Sequence, residues 1–213
     1  MMSSLAWCNA AHGFWDRAIA NSSALRSAVH SHLMMETAHI MGISAGILFI
    51  DLQKFYDSVD LVLLMRACGV LGYPRIPLLL LVQALLGPRT LRADGHRSNQ
   101  VPVSSGLVAG SSQANHLARA LLHRASHDHH NCCPKLAVSQ FVDDLKMYTE
   151  GTTRQVMYRF SQATVELFHS LGKLKVDLSP SKCGFVATTR GIALTVFWLE
   201  TKRLWYFLDQ TPT

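Results

Sequence analysis

Apolar and polar positions alternate along the chain in two periods, one of strands and one of helices. Ala45-Gly46-Ile47-Leu48-Phe49-Ile50 is a short, unbroken apolar run, the pattern of a buried strand, and it stops abruptly at Asp51. Before it, Leu33, Glu36, Thr37 and Ile40 recur at helical spacing and predict a helix over 24–41, broken by Gly42 to Ser44. After a polar turn around Asp57, Leu61, Leu64, Met65 and Cys68 mark one face of a second helix, stopped near Gly69 to Pro74. A third helix fits Ile76 to Leu86, with Pro77 tolerated in its first turn and Gly87-Pro88 as its stop. Short strands over Arg89 to Ala93 and Gln100 to Val103 flank the turn residues Asp94-Gly95.

Ser111 or Ser112 suits the cap of a helix running to about Arg124, with Leu117, Ala120 and Leu121 turned inward. Leu136 to Val142 and Leu145 to Tyr148 read as strands separated only by Asp143-Asp144. Thr152 with Gln155 forms a capping box, and the helix behind it places Val156, Phe160, Ala163 and Leu167 on one face before ending at Gly172. Leu174 to Leu178 and Phe185 to Thr188 supply two more strands. Around the acids the order is strand, helices, hairpin, helix, strand. The expected fold is therefore α+β, a ferredoxin-like βαββαβ unit whose antiparallel sheet is backed by helices.

Composition narrows the classes. Among 213 residues, 49% are hydrophobic and 16% charged, which excludes disorder and coiled coil. The uncharged apolar stretch from Pro77 to Pro88 is too short for a membrane span, and the N-terminus lacks a basic region followed by an apolar run, so no membrane partner or secretory signal is expected. Five cysteines without regular spacing suit an intracellular, reducing compartment, nucleus and organelle being equally compatible. A net charge of +6 is compatible with a nucleic-acid partner. Arg89, Arg92, His96 and Arg97 suit either phosphate contact or a solvated hairpin face.

Asp51, Asp143 and Asp144 stand at the ends of strongly apolar strands. A carboxylate leaving water without a partner costs several kcal/mol or shifts its pKa, and adjacent carboxylates repel. Taken singly, Asp143-Asp144 suits a solvated turn and Asp51 a cap or turn acid. A divalent cation removes both penalties, and hard oxygen ligands favour magnesium or manganese.

These residues lie in segments that resemble one family, the reverse transcriptases. Asp51-Leu52-Gln53-Lys54-Phe55-Tyr56-Asp57-Ser58-Val59 is similar to the family's first palm motif, especially in non-LTR retrotransposons and group II introns. Phe141-Val142-Asp143-Asp144 resembles its aromatic-x-Asp-Asp hairpin. Gly106 to Ser111 lies where the family carries a glycine-containing loop, with Ala109 in place of the usual glutamine. Leu178-Ser179-Pro180-Ser181-Lys182-Cys183 resembles the motif that follows.

The resemblance implies a palm over 41–190, preceded by a partial fingers-like or unassigned helical segment over 1–40 and followed by an unassigned C-terminal tail over 191–213 that would be a truncated thumb. It implies two Mg2+ or Mn2+ ions held by Asp51, Asp143 and Asp144, and phosphoryl transfer from a dNTP to a DNA primer on an RNA template. Lys182 would approach the leaving pyrophosphate, Tyr56 would crowd a ribose 2′-hydroxyl, and Gly110 and Ser111 would pack on the nucleotide. Two alternatives remain open: a non-catalytic remnant that at most binds nucleic acid, and an RNA-dependent RNA polymerase. The second is opposed by an aromatic residue at Tyr56 and the lack of Gly-Asp-Asp in the hairpin. His123, His127, His129, His130, Cys132 and Cys133 offer potential zinc ligands but lack a distant second pair, which favours a polar loop.

Overall fold

The structure, a computed structural model, describes residues 13, 15–18, 23–90, 92–108 and 112–189. In chain order its elements are helix α1 (Ala24–Ile40), strand β1 (Ser44–Ile50), helices α2 (Phe55–Ser58), α3 (Leu61–Val70) and α4 (Arg75–Leu86), and the small hairpin β2 (Arg92–Ala93) and β3 (His96–Arg97). Helix α5 (Ser112–Cys132), strands β4 (Ala137–Phe141) and β5 (Asp144–Gly151), helix α6 (Thr153–Lys173) and strand β6 (Gly184–Ala187) complete them.

The main sheet has the order β4-β5-β1-β6, with every neighbouring pair antiparallel. With α3 to α5 in the first crossover and α6 in the second, this is the expected βαββαβ arrangement. Side chains alternate across a strand, so Gly46, Leu48 and Ile50 face one way and Ala45, Ile47, Phe49 and Asp51 the other. The first set joins Leu145, Met147 and Val138 against α5 and α6, in a core filled by Leu64, Leu121, Phe160 and Leu167. Gly46 is required here: a Cβ would lie 2.8 Å from Phe185 Cζ and 2.9 Å from Phe160 Cε2, splitting two rings packed edge to face at 5.1 Å.

Helix α1 packs on the opposite face of β1. Its buried residues are the small Ser31 and Ala38, whereas Leu33 and Ile40, which carried the sequence pattern, are exposed. Small side chains let the helix approach the sheet closely. It is fastened by Lys146 of β5, whose Nζ donates to Ser27 Oγ at 2.7 Å and to Ser31 Oγ at 2.6 Å. Burial first, then the charge of Arg17, lowers the pKa of Lys146.

Four expectations are corrected. The partner of β2 is His96–Arg97, not Gln100 to Val103, where only Val101 forms a bridge, with Arg89. The hairpin turn falls on Val142-Asp143, not on Asp143-Asp144, because Phe141 pairs with Asp144 and Asp144 opens β5. Leu174 to Leu178 forms no strand: Lys175 adopts a φ of 55°, which bends the chain out of a ladder, and only Leu178 bridges Leu52. The histidine-rich stretch is helical through Cys132, not a polar loop. Its His123 and His127 face Trp15, at ring distances of 5.2 and 5.8 Å, which gives that side of the helix an aromatic partner. Among the described residues no helix is long and apolar enough to cross a membrane.

Candidate active site

The end of β1 carries Asp51 to the middle of the sheet. Carrying the register one step beyond the pair Ile50–Leu145 sets Asp51 opposite Asp144, on the face that also bears Lys146. The chain after β1 is then zipped to the loop before β6. Gln53 N–H donates to Asp177 O at 2.8 Å, and Ser179 N–H donates to Asp51 O at 2.9 Å. This pairing brings Lys182 Nζ within 3.7 Å of Asp51 Oδ2. Asp51, Asp144, Lys146 and Lys182 line a common cavity of about 310 Å³, closed on one side by Ser27 and Ala28 of α1.

The acids interact as a group. Burial, then the charges of Asp144 and Asp51, raises the pKa of Asp143, while its own backbone N–H acts the other way. Asp144 is raised by burial and then by Asp51. Tyr56, on α2, is pushed up to about 12 by burial and then by Asp143 and Asp144. Four expected site residues, Asp51, Asp143, Asp144 and Tyr56, are thus electrostatic neighbours, and Lys182 adjoins the first of them. Gly110 and Ser111 lie outside the described residues, as does Ala109.

Tyr56 is placed from two sides. Its carbonyl accepts from Leu107 N–H at 2.6 Å, and its phenol donates to Asn115 Oδ1 of α5 at 2.9 Å. The loop that carries Leu107 comes this close because Gly106 adopts a φ of 91°, where a Cβ would lie 2.9 Å from Asp57 O and 3.0 Å from Tyr56 O.

Asp51 Oδ2 is buried and makes no hydrogen bond. A buried carboxylate oxygen that Lys182 Nζ approaches only to 3.7 Å, beside two acids that burial and neighbouring negative charge disfavour as anions, fits a hard divalent cation. Among the described residues, no group of three His, Cys, Asp or Glu is already gathered as a metal site, at the acids or in the histidine stretch.

Several positioning residues escaped the sequence reading. Gln140 turns inward from β4 and is 1% exposed. Ser126 Oγ donates to its Oε1, and its Nε2 donates to Val142 O, each at 3.0 Å. Its signal was legible, since a polar residue stands where alternation from Val138 demands an apolar one. Asp16 and Arg119 form a buried ion pair that clamps residues 15–17 beside β4, where Arg17 N–H donates to Gln140 O at 2.8 Å. Asn115 and this pair left no signal in the sequence.

An antiparallel βαββαβ sheet with acids converging from a strand end and a tight hairpin is the framework of polymerase palms. The family model described as "Reverse transcriptase (RNA-dependent DNA polymerase)" matches residues 10–203, and the chain belongs to that family. Solved telomerases share the fold at low identity. Apo telomerase from Candida tropicalis, truncated from its C-terminal domain, aligns with a TM-score of 0.55 and 10% identity, over 78% of this chain and 35% of that one. Telomerase from Candida albicans, in complex with a TWJ fragment of telomeric RNA, aligns with a TM-score of 0.58 and 14% identity, over 77% and 31%. The chain thus spans about a third of the length of these structures. No curated protein matches it in sequence.

Proposed function

We propose that the chain is the palm of an RNA-directed DNA polymerase from a non-LTR or group II-type retroelement, working inside the cell on an RNA template, a DNA primer and dNTPs. The observation that carries this reading is the meeting of Asp51 with the hairpin acids Asp143 and Asp144, both of them raised in pKa first by burial and then by the charge of Asp51, with Asp144 adding to the effect on Asp143. In this reading Asp51 and Asp143 hold two Mg2+ or Mn2+ ions, with Asp144 assisting. Bound there, such ions activate a primer 3′-hydroxyl and neutralise the charge of the leaving group. Lys182, beside Asp51, reaches toward the pyrophosphate as a countercharge or proton donor. Tyr56 fills the space a ribose 2′-hydroxyl would need, and Gly110 and Ser111 pack against the nucleotide.

Primer extension by the 213-residue chain on an RNA template, with magnesium or manganese, tests the proposal. Extension by the parent and its loss by at least about a thousandfold in Asp143→Ala is the expected result. Equal behaviour of parent and variant overturns the catalytic reading and leaves a remnant that at most binds nucleic acid. Equal use of ribonucleotides would favour the RNA-polymerase alternative.

A further inference from the structure

Tyr56 sits on α2, an element of only four residues, which by itself is a weak platform for a ring that must hold its place against a substrate. Phe55 packs edge-on against the ring at 5.7 Å and Leu107 holds the Tyr56 carbonyl, but neither engages the phenolic oxygen. The far end of the ring is fixed by another element altogether. Asn115 lies near the start of α5, 59 residues along the chain, and its Oδ1 accepts the phenolic O–H at 2.9 Å. Helix α5 is anchored within three residues of Asn115 by Ala114, Leu117 and Ala118, all fully or almost fully buried.

We infer that Asn115 is the positioning residue for substrate selection: by accepting the Tyr56 hydroxyl it ties the end of the ring to the buried helix α5 and holds it where it separates deoxyribo- from ribonucleoside triphosphates. The inference rests on the polymerase reading above, from which Tyr56 takes its role. The chemistry favours a lasting bond. An amide oxygen carries no proton, so the phenol must donate, and a phenol donates only while protonated. A phenol ordinarily titrates near 10, so at neutral pH the Tyr56 hydroxyl carries its proton, and burial of the ring favours that form further. A ring held at one end only would swing about its side-chain torsions, and steric exclusion of a single hydroxyl demands a position defined to a fraction of an ångström.

The test is single-nucleotide incorporation by the full chain, with kcat and KM determined separately for a dNTP and the matching rNTP. The variants are Asn115→Leu, Asn115→Asp, Tyr56→Phe and the double variant Tyr56→Phe/Asn115→Leu. Asn115→Leu keeps the branching of the side chain and removes the acceptor, and is expected to lower the dNTP/rNTP ratio of kcat/KM about tenfold. Asn115→Asp restores an acceptor at the same reach and is expected to keep the ratio within about twofold of the parent. In the Tyr56→Phe background Asn115→Leu is expected to change nothing further, because the hydroxyl it serves is gone. Equal losses for both nucleotides, or additive effects in the double variant, overturn the inference while leaving the polymerase reading intact. A parent that extends no better than Asp143→Ala overturns the polymerase reading and this role with it. Equilibrium unfolding then reports on the contact alone: coupled residues raise the unfolding constant of the double variant about fivefold less than the product of the single effects, and a plain product shows that Asn115 does not hold Tyr56.

Discussion

The side-chain amide of Gln140 donates to the carbonyl oxygen of Val142 at 3.0 Å, bracing the turn that carries Asp143. Val142 has a φ of 60°, a left-handed conformation that a β-branched residue rarely adopts. A two-residue hairpin turn requires positive φ at its first central position, so closing β4 onto β5 here imposes strain of about 1–3 kcal/mol on Val142. Gln140→Leu leaves Val142 O and Ser126 Oγ without their partner and is expected to cost about 1–3 kcal/mol in urea unfolding. Val142→Gly, which suits the turn, is expected to change stability by less than about 1 kcal/mol.

Asp16 Oδ2 accepts from Arg119 Nε at 2.8 Å and Nη2 at 2.6 Å, with both side chains buried. Removing one partner strands a charge away from water. Asp16→Ala is expected to destabilise by about 3–5 kcal/mol, while Asp16→Leu with Arg119→Met restores most of that loss, both read by urea unfolding.

Metal binding and pH should act together at the hairpin. The folded chain holds Asp143 and Asp144 above the ordinary carboxylate pKa, so it binds more protons than the unfolded chain between the ordinary value and the raised ones. Metal-free stability must therefore fall as pH rises through that window. Asp143→Asn is expected to stabilise the metal-free chain at neutral pH while abolishing extension. Magnesium or manganese at about 100 times its Kd is expected to add about 2.7 kcal/mol to the parent at neutral pH. The gain should shrink at acid pH and vanish in Asp143→Asn, as read by melting temperature with and without a chelator.

His129 predicts the opposite slope. It is fully buried in α5, and burial, reinforced by the charge of His130, lowers its pKa to about 4. The unfolded chain takes up the proton first, so stability is complete above pH 6.5 and is lost as pH falls toward 4, by roughly 3 kcal/mol. His129→Leu is expected to flatten that part of the curve, which unfolding midpoints between pH 7 and 4 would measure.

How far the sequence could be read depended on the range of each interaction. Thr152 and Gln155 announced their capping box because both partners sit within one turn, and Val156, Phe160, Ala163 and Leu167 announced the buried face of α6 because helical periodicity is local. The hairpin turn lies one residue earlier than its two aspartates suggest, because Val142 takes a positive φ that its side chain disfavours. Helix α1 was found by its apolar residues and yet packs by its small ones. Histidines that suggested a loop continue α5, where Trp15 covers part of that helix.

By itself the sequence determined the order of the main-sheet strands and the helices between them, the ferredoxin-like class and the three acids at strand ends. These follow from periodicity and from the cost of placing charge beside apolar runs, both of which act over a few residues. Only the tertiary structure decided that Asp51 stands opposite Asp144, that Gln140 braces Val142, that Arg119 clamps Asp16 and that Asn115 holds Tyr56. Each of these joins separate elements, and such a contact exists only once the sheet register and the packing of α5 against it have been set, because a hydrogen bond depends on distance in space and not along the chain.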